Sequence, residues 1–177
     1  EIPDGAAKTG GIRVGEEAAE AMLAAREDDG TDRPREPVSG TEPGEWRPTP
    51  PDYAVTDTAW IADVEPFLIR SAEQFRIRGP NRLESGVYAK EFDEVKELGA
   101  ANSATRTPDQ TDVALYWDQA PWDEILVSLA QSQNLDANDT ARLLAMTSLA
   151  GADASIAVTS EKNYWNTWRP ISAIREA

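Results

Sequence analysis

Residues 162 to 170 read Lys162-Asn163-Tyr164-Trp165-Asn166-Thr167-Trp168-Arg169-Pro170, which sets two cations, two tryptophans and a proline in a fixed relation. On a helix of 3.6 residues per turn, positions seven apart leave the same face, about 10 Å from each other. Two cations so placed suit an anion. Arg offers a planar fork of donors for two oxygens and Lys a compact point charge for a third, so Lys162 and Arg169 together suit a trigonal or tetrahedral oxyanion. Pro170 disfavours helical dihedrals at Arg169, which predicts that the helix ends or bends there and that the guanidinium can swing toward whatever Lys162 contacts. The plainer alternative is that both cations coat a solvated helix face and that Trp165 and Trp168, three apart, pack in a core.

The element that must carry Lys162 is the longest helical pattern in the chain. Asp136 is placed to cap it, and Leu143, Leu144, Thr147, Ala150, Ala154 and Ala157 continue it toward Lys162. Asp153 lies on or beside its small-residue face, and a carboxylate there needs a partner: a cap or an Arg of a neighbouring helix accounts for it better than a direct catalytic role. Upstream, Thr107-Pro108-Asp109-Gln110 is a capping box with proline at the first helical position. Ser85 opens a helix in which Tyr88, Phe92 and Val95 share a face and Gly99 ends it. Pro121 restarts the chain as a helix through Ile125, Leu126 and Leu129, closing near Asn134. Thr56 or Asp57 can cap a short helix through Trp60 and Val64, and Pro66 opens another that carries Phe67 and Leu68 and closes at Phe75.

The first helix, over 5–28, has Ile12, Ala19, Met22 and Leu23 on one face, and Gly10, Gly11 and Gly15 weaken its first half or allow close helix approach. Residues 29–53 turn to proline, glycine and charge. They form a long irregular segment, expected to be pinned on the helices by Trp46 rather than to divide domains. No period-two alternation, internal repeat or glycine loop after a strand appears. The pattern predicts an all-α chain of one domain: the helix 5–28, the loop 29–53 and a helical bundle over 56–177.

Composition narrows the function classes. The 177 residues include 32 acidic and 17 basic side chains, a net charge of −15, with no cysteine and no histidine. That balance opposes binding to nucleic acid or an anionic membrane surface. Without cysteine, neither a disulfide framework nor a thiolate metal site can form. Carboxylate clusters such as Glu16-Glu17 lack the spacing of a calcium or magnesium loop. No stretch reaches about 18 consecutive apolar residues, so no membrane span is expected. A surface this acidic with four lysines is found in proteins adapted to high salt and in ordinary acidic proteins alike. Glu1-Ile2-Pro3-Asp4 carries no charged-then-apolar leader.

Lys162, six intervening residues and Arg169-Pro170 resemble the first signature of the type 2 phosphatidic acid phosphatase superfamily. The surrounding text is similar to its vanadium-dependent haloperoxidase branch in bacteria. Matching stretches run in the same order: Gly44-Glu45-Trp46-Arg47-Pro48-Thr49-Pro50-Pro51, Phe67 to Phe75, Glu94-Val95-Lys96 with Leu98-Gly99, Asn102-Ser103 with Thr105-Arg106-Thr107, Ala152-Asp153-Ala154, and Trp168 through Arg175. The resemblance implies a helical bundle of the vanadium haloperoxidase and acid phosphatase type, binding vanadate, or phosphate in its place, through Lys162 and Arg169. It implies small-molecule substrates, namely hydrogen peroxide with halide, or a phosphoester, and leaves room for a homo-oligomer and for a secreted or periplasmic location.

The same resemblance implies two further signatures, a Pro-Ser-Gly-His stretch and an Arg…His stretch, and neither is present in a chain without histidine. The expectation is therefore a piece of a longer protein that carries half a site and is inactive alone. The alternative is a non-catalytic helical module that packs against a partner. Two positions depart from bacterial members: Thr159 stands where many have Trp, and Tyr164 where many have His.

Overall fold

Among the described residues six α-helices carry the fold: α1 (Ala6–Ala25), α2 (Gly86–Leu98), α3 (Pro108–Asp118), α4 (Trp122–Ser132), α5 (Ala137–Trp165) and α6 (Pro170–Glu176), with a 3₁₀ turn at Ala59–Asp63. The computed structural model describes residues 3–31, 33–118 and 120–177. The Glu1-Ile2 start, Asp32 of the Pro-rich segment and Gln119 lie outside them. Among the described residues there is no strand; the one extended pairing is an isolated antiparallel bridge between Glu45 and Thr167. The architecture is all-α, as the periodicity predicts.

Local chemistry sets most helix starts. The Asp136 carboxylate accepts the N–H groups of Asn138 and Asp139, both at 2.9 Å, satisfying two of the four orphan donors of α5. Ser85 Oγ accepts Tyr88 N–H at 3.1 Å. At α3, Thr107 N–H donates to Gln110 Oε1 at 2.9 Å while Gln110 N–H donates back to Thr107 Oγ1 at 3.2 Å, the reciprocal box its sequence announces.

α5 organises what core there is. Its buried residues Asp153, Ile156 and Ser160 fall three and four apart, on one stripe. The 3₁₀ turn and α4 pack against α5, and α2 packs against α6. Asn163 Nδ2 donates to the Ala59 carbonyl at 2.8 Å, which ties the 3₁₀ turn to the last turns of α5. By length and composition α5 could cross a membrane, with an 18-residue window of mean hydropathy 1.3. This qualifies the expectation from apolar runs alone. Its buried stripe, however, holds a carboxylate bonded to loop backbone, the mark of a helix facing protein rather than lipid.

Three expectations need correcting. Residues 66–75 are bends and turns rather than a helix, because Asp153 claims the N–H groups of Phe67, Leu68 and Ile69 at 2.6, 2.7 and 2.9 Å and holds the segment flat against α5. α1 stops at Ala25 rather than 28, where Arg26 turns aside to pair with Asp29 at 2.8 Å and stack on the Phe67 ring at 4.0 Å. Nothing lies within 4 Å of the Cβ positions of Gly10, Gly11 or Gly15, so these glycines serve no close helix approach.

Among the described residues α1 and α3 pack on no other helix. The accessible surface is 13531 Å², against about 8,500 Å² for a folded monomer of this mass by the usual scaling. Part of the excess is apolar: Ile12, Met22 and Leu23 of α1 and Leu115 and Trp117 of α3 are exposed.

Candidate functional site: a cationic cleft at the end of α5

The helix that carries Lys162 does not reach Arg169. Asn166 takes a left-handed conformation (φ 43°) and its N–H closes on the Lys162 carbonyl at 3.0 Å, a cap Asn tolerates better than most residues. The next three residues are captured by the Pro-rich loop. Trp46 N–H donates to the Asn166 carbonyl at 2.8 Å, Thr167 bridges Glu45, and Trp168 N–H donates to the Gly44 carbonyl at 3.0 Å. Gly44 has φ 92°, where a side chain would be strained. Arg169 is extended (ψ 153°) ahead of Pro170, which opens α6, as the proline demands. The shared helix face expected for Lys162 and Arg169 is thus corrected: a cap and an extended step separate them.

They meet in another way. Both line one cleft of about 310 Å³, with Arg35, Trp46, Thr159 and Trp168 among its other walls. Both are exposed, and among the described residues neither side chain has a hydrogen-bond or ion-pair partner. In a chain of net charge −15, two unpaired cations sharing one concavity are available to an anion.

The neighbouring groups explain why Lys162 stays unpaired. The adjacent carboxylate, Glu161, points elsewhere: its Oε1 lies 3.4 Å from Arg76 Nε, and its Oε2 accepts Trp165 Nε1 at 3.0 Å and Ile77 N–H at 3.2 Å. Arg76 in turn stacks on Tyr164 at 3.8 Å. Trp165 lies against Gly79, where a Cβ would fall inside the indole ring. Trp168 is fixed from its other side, with Nε1 donating to the Tyr88 hydroxyl at 2.9 Å and Arg47 5.8 Å from the ring. Arg47 itself is tied to Glu176 at 3.0 Å and to the Glu42 carbonyl at 2.8 Å. Of the two departures noted in the sequence, Thr159 does line the cleft, whereas Tyr164 lies in an adjoining polar cavity.

Asp153 is not among the cleft residues. Burial pushes its carboxyl up, but the three backbone donors and the charge of Arg26 outweigh this and hold it below the usual 3.8. It is a structural latch for the 67–69 segment. Sequence reasoning missed Arg35 and Glu161 as cleft determinants, because neither has a motif of its own and their roles arise from contacts 28 and 84 residues away in sequence.

No family model matches the chain, and no curated protein matches it. Among solved structures, the crystal structure of a bacterial vanadium-dependent iodoperoxidase is similar, with a TM-score of 0.70 and 28% identity over 85% of this chain and 41% of that one. The chain therefore has a haloperoxidase-like helical fold and spans less than half the length of that protein.

Proposed function

We propose that this chain forms the oxyanion-holding part of a longer enzyme of the vanadium-dependent haloperoxidase type, and that Lys162 and Arg169 bind vanadate, or phosphate in its place. The observation that carries the reading is that these two cations line one cleft without partners. The likeness in fold to an iodoperoxidase supports it.

The donor set fits the oxygens of the group. Lys162 offers a compact ammonium and Arg169 a planar fork, both already in place to meet negative charge as it builds up on oxygen. Bound vanadate would supply a Lewis-acidic centre at which peroxide becomes a better oxidant toward halide. Trp46 and Trp168 form apolar walls of the cleft beside the two cations. The donor set does not supply an imidazole to bond the metal or to carry a phosphoryl group, because the chain has no histidine. That part of the site belongs to sequence outside these 177 residues.

The test is activity in the full-length protein and in the isolated chain. The full-length protein should oxidise iodide or bromide with peroxide only when loaded with vanadate, or hydrolyse phosphoesters without it, and Lys162→Ala should abolish either. The isolated chain should do neither; turnover that survived rigorous purification would contradict the division of the site.

One observation favours a second reading, a non-catalytic helical module that docks on a partner: the apolar residues left exposed on α1 and α3. The reading frame after Ala177 separates the two. A Pro-Ser-Gly-His stretch followed by Arg…His supports the enzyme, and a stop codon there supports the module.

A further inference from the structure

We infer that Arg35 is a third cation of the oxyanion cleft, held in reserve by Asp63; the inference rests on the proposed anion site. Arg35 lies in the Pro-rich loop, far from any signature, yet it lines the same cleft as Lys162 and Arg169 and also the adjoining polar cavity that contains Asp63. Its Nη1 is 2.6 Å from Asp63 Oδ1, and the side chains are 42% and 40% exposed. A pair so wetted holds weakly, at up to about 1 kcal/mol, so the guanidinium can be drawn to a better partner at little cost.

Charge counting gives the reason it would be drawn. Glu36 also lines the cleft and cancels one of the two free cations. A phosphomonoester carries about 1.5 to 2 negative charges at neutral pH, since its second pKa is near 6, and free phosphate carries between one and two. Within these 177 residues the cleft's free charge is therefore smaller than the anion's, and a further cation would add to what the rest of the site supplies. Releasing Arg35 from Asp63 adds positive charge on this side of the cleft and a second fork of donors. Asp63 then acts as a competitor that keeps Arg35 ordered while the cleft lacks an anion.

The plain alternative is that the Arg35–Asp63 pair only tethers the loop to the 3₁₀ turn. The two accounts differ in sign. A tether weakens when either partner is removed, so both substitutions would harm the cleft alike. A reserve cation gives opposite effects: Arg35→Ala weakens anion binding about tenfold, the loss of a hydrogen bond to a charged group less the cost of leaving Asp63. Asp63→Asn tightens it about threefold by removing the competitor.

The experiment is titration of inorganic phosphate and of orthovanadate into the full-length protein at fixed ionic strength, with folding checked by circular dichroism. The variants are Arg35→Ala, Arg35→Gln, Asp63→Asn, Lys162→Ala and Arg169→Ala, with Arg175→Ala as a control outside the cleft. Arg35→Gln keeps a hydrogen-bonding stem and should lose affinity like Arg35→Ala, which protects the test against local unfolding of the loop. Weakening at Arg35 with tightening at Asp63 supports the inference. If the Lys162 and Arg169 variants weaken while Arg35 and Asp63 variants bind like wild type, or weaken together, the reserve-cation role is overturned and the site stands. If the Lys162 and Arg169 variants also bind like wild type, the site itself is wrong.

Discussion

The Asp153 carboxylate receives the Phe67 N–H at 2.6 Å across 86 residues of sequence, and with Leu68 and Ile69 this single side chain fastens the 67–69 segment to α5. Asp153 is 4% exposed. Its folded pKa is below the ordinary value, so the unfolded chain binds more protons in the acid range. The stabilisation is complete above the unfolded pKa and is lost as pH falls through the folded one. Thermal unfolding followed from pH 7 down to 2.5 should show Tm falling below about pH 4. Asp153→Asn should lower Tm at pH 7 and flatten that acid limb, since the amide cannot accept from all three donors and does not titrate. An acid limb unchanged by the substitution would assign it to other carboxylates.

Trp168 links the cleft to α2 through the Tyr88 hydroxyl at 2.9 Å. Tyr88→Phe removes the acceptor and leaves the indole N–H without it, at a cost of about 1 kcal/mol. Urea unfolding should show the lower midpoint with an unchanged m-value. Because Trp168 also walls the cleft, the same variant should bind phosphate somewhat less tightly, whereas wild-type affinity would mean that the indole stays in place without the bond.

Gly79 faces the Trp165 ring so closely that no Cβ fits. Gly79→Ala should expel the ring and cost about 1–3 kcal/mol, the range for overpacking. A red-shifted tryptophan emission with a lower urea midpoint is the expected result. A spectrum and stability like wild type would show that the 76–79 segment can move away freely.

Features decided within a few residues were legible in the sequence: the Asp136 and Ser85 caps and the Thr107-to-Gln110 box all follow from neighbours in the chain. Those decided by distant partners were not. α5 ends at Trp165 because residues 44–46 take the backbone of Asn166 to Trp168, and the helix expected after Pro66 is absent because its donors are spent on Asp153. The meeting of Lys162 with Arg169 was anticipated, but on a shared helix face. In fact it arises from a left-handed cap and an extended step, which helical spacing could not reveal. Arg35 escaped notice because an irregular Pro-rich loop has no period from which to infer where a side chain will lie.

The central claim is that Lys162 and Arg169 hold one oxyanion, and anion titration of the full-length protein tests it most directly. Orthovanadate and phosphate binding should weaken by about 1.5–3 kcal/mol for Lys162→Ala and for Arg169→Ala, the range for losing a hydrogen bond to a charged group. Arg169→Lys should recover only part of that loss, because an ammonium cannot reproduce a two-oxygen fork. Arg175, exposed on α6 and outside the cleft, should be replaceable without effect. If the Lys162 and Arg169 variants bind like wild type, or Arg175→Ala loses as much as they do, the pair is ordinary surface charge and the account is contradicted.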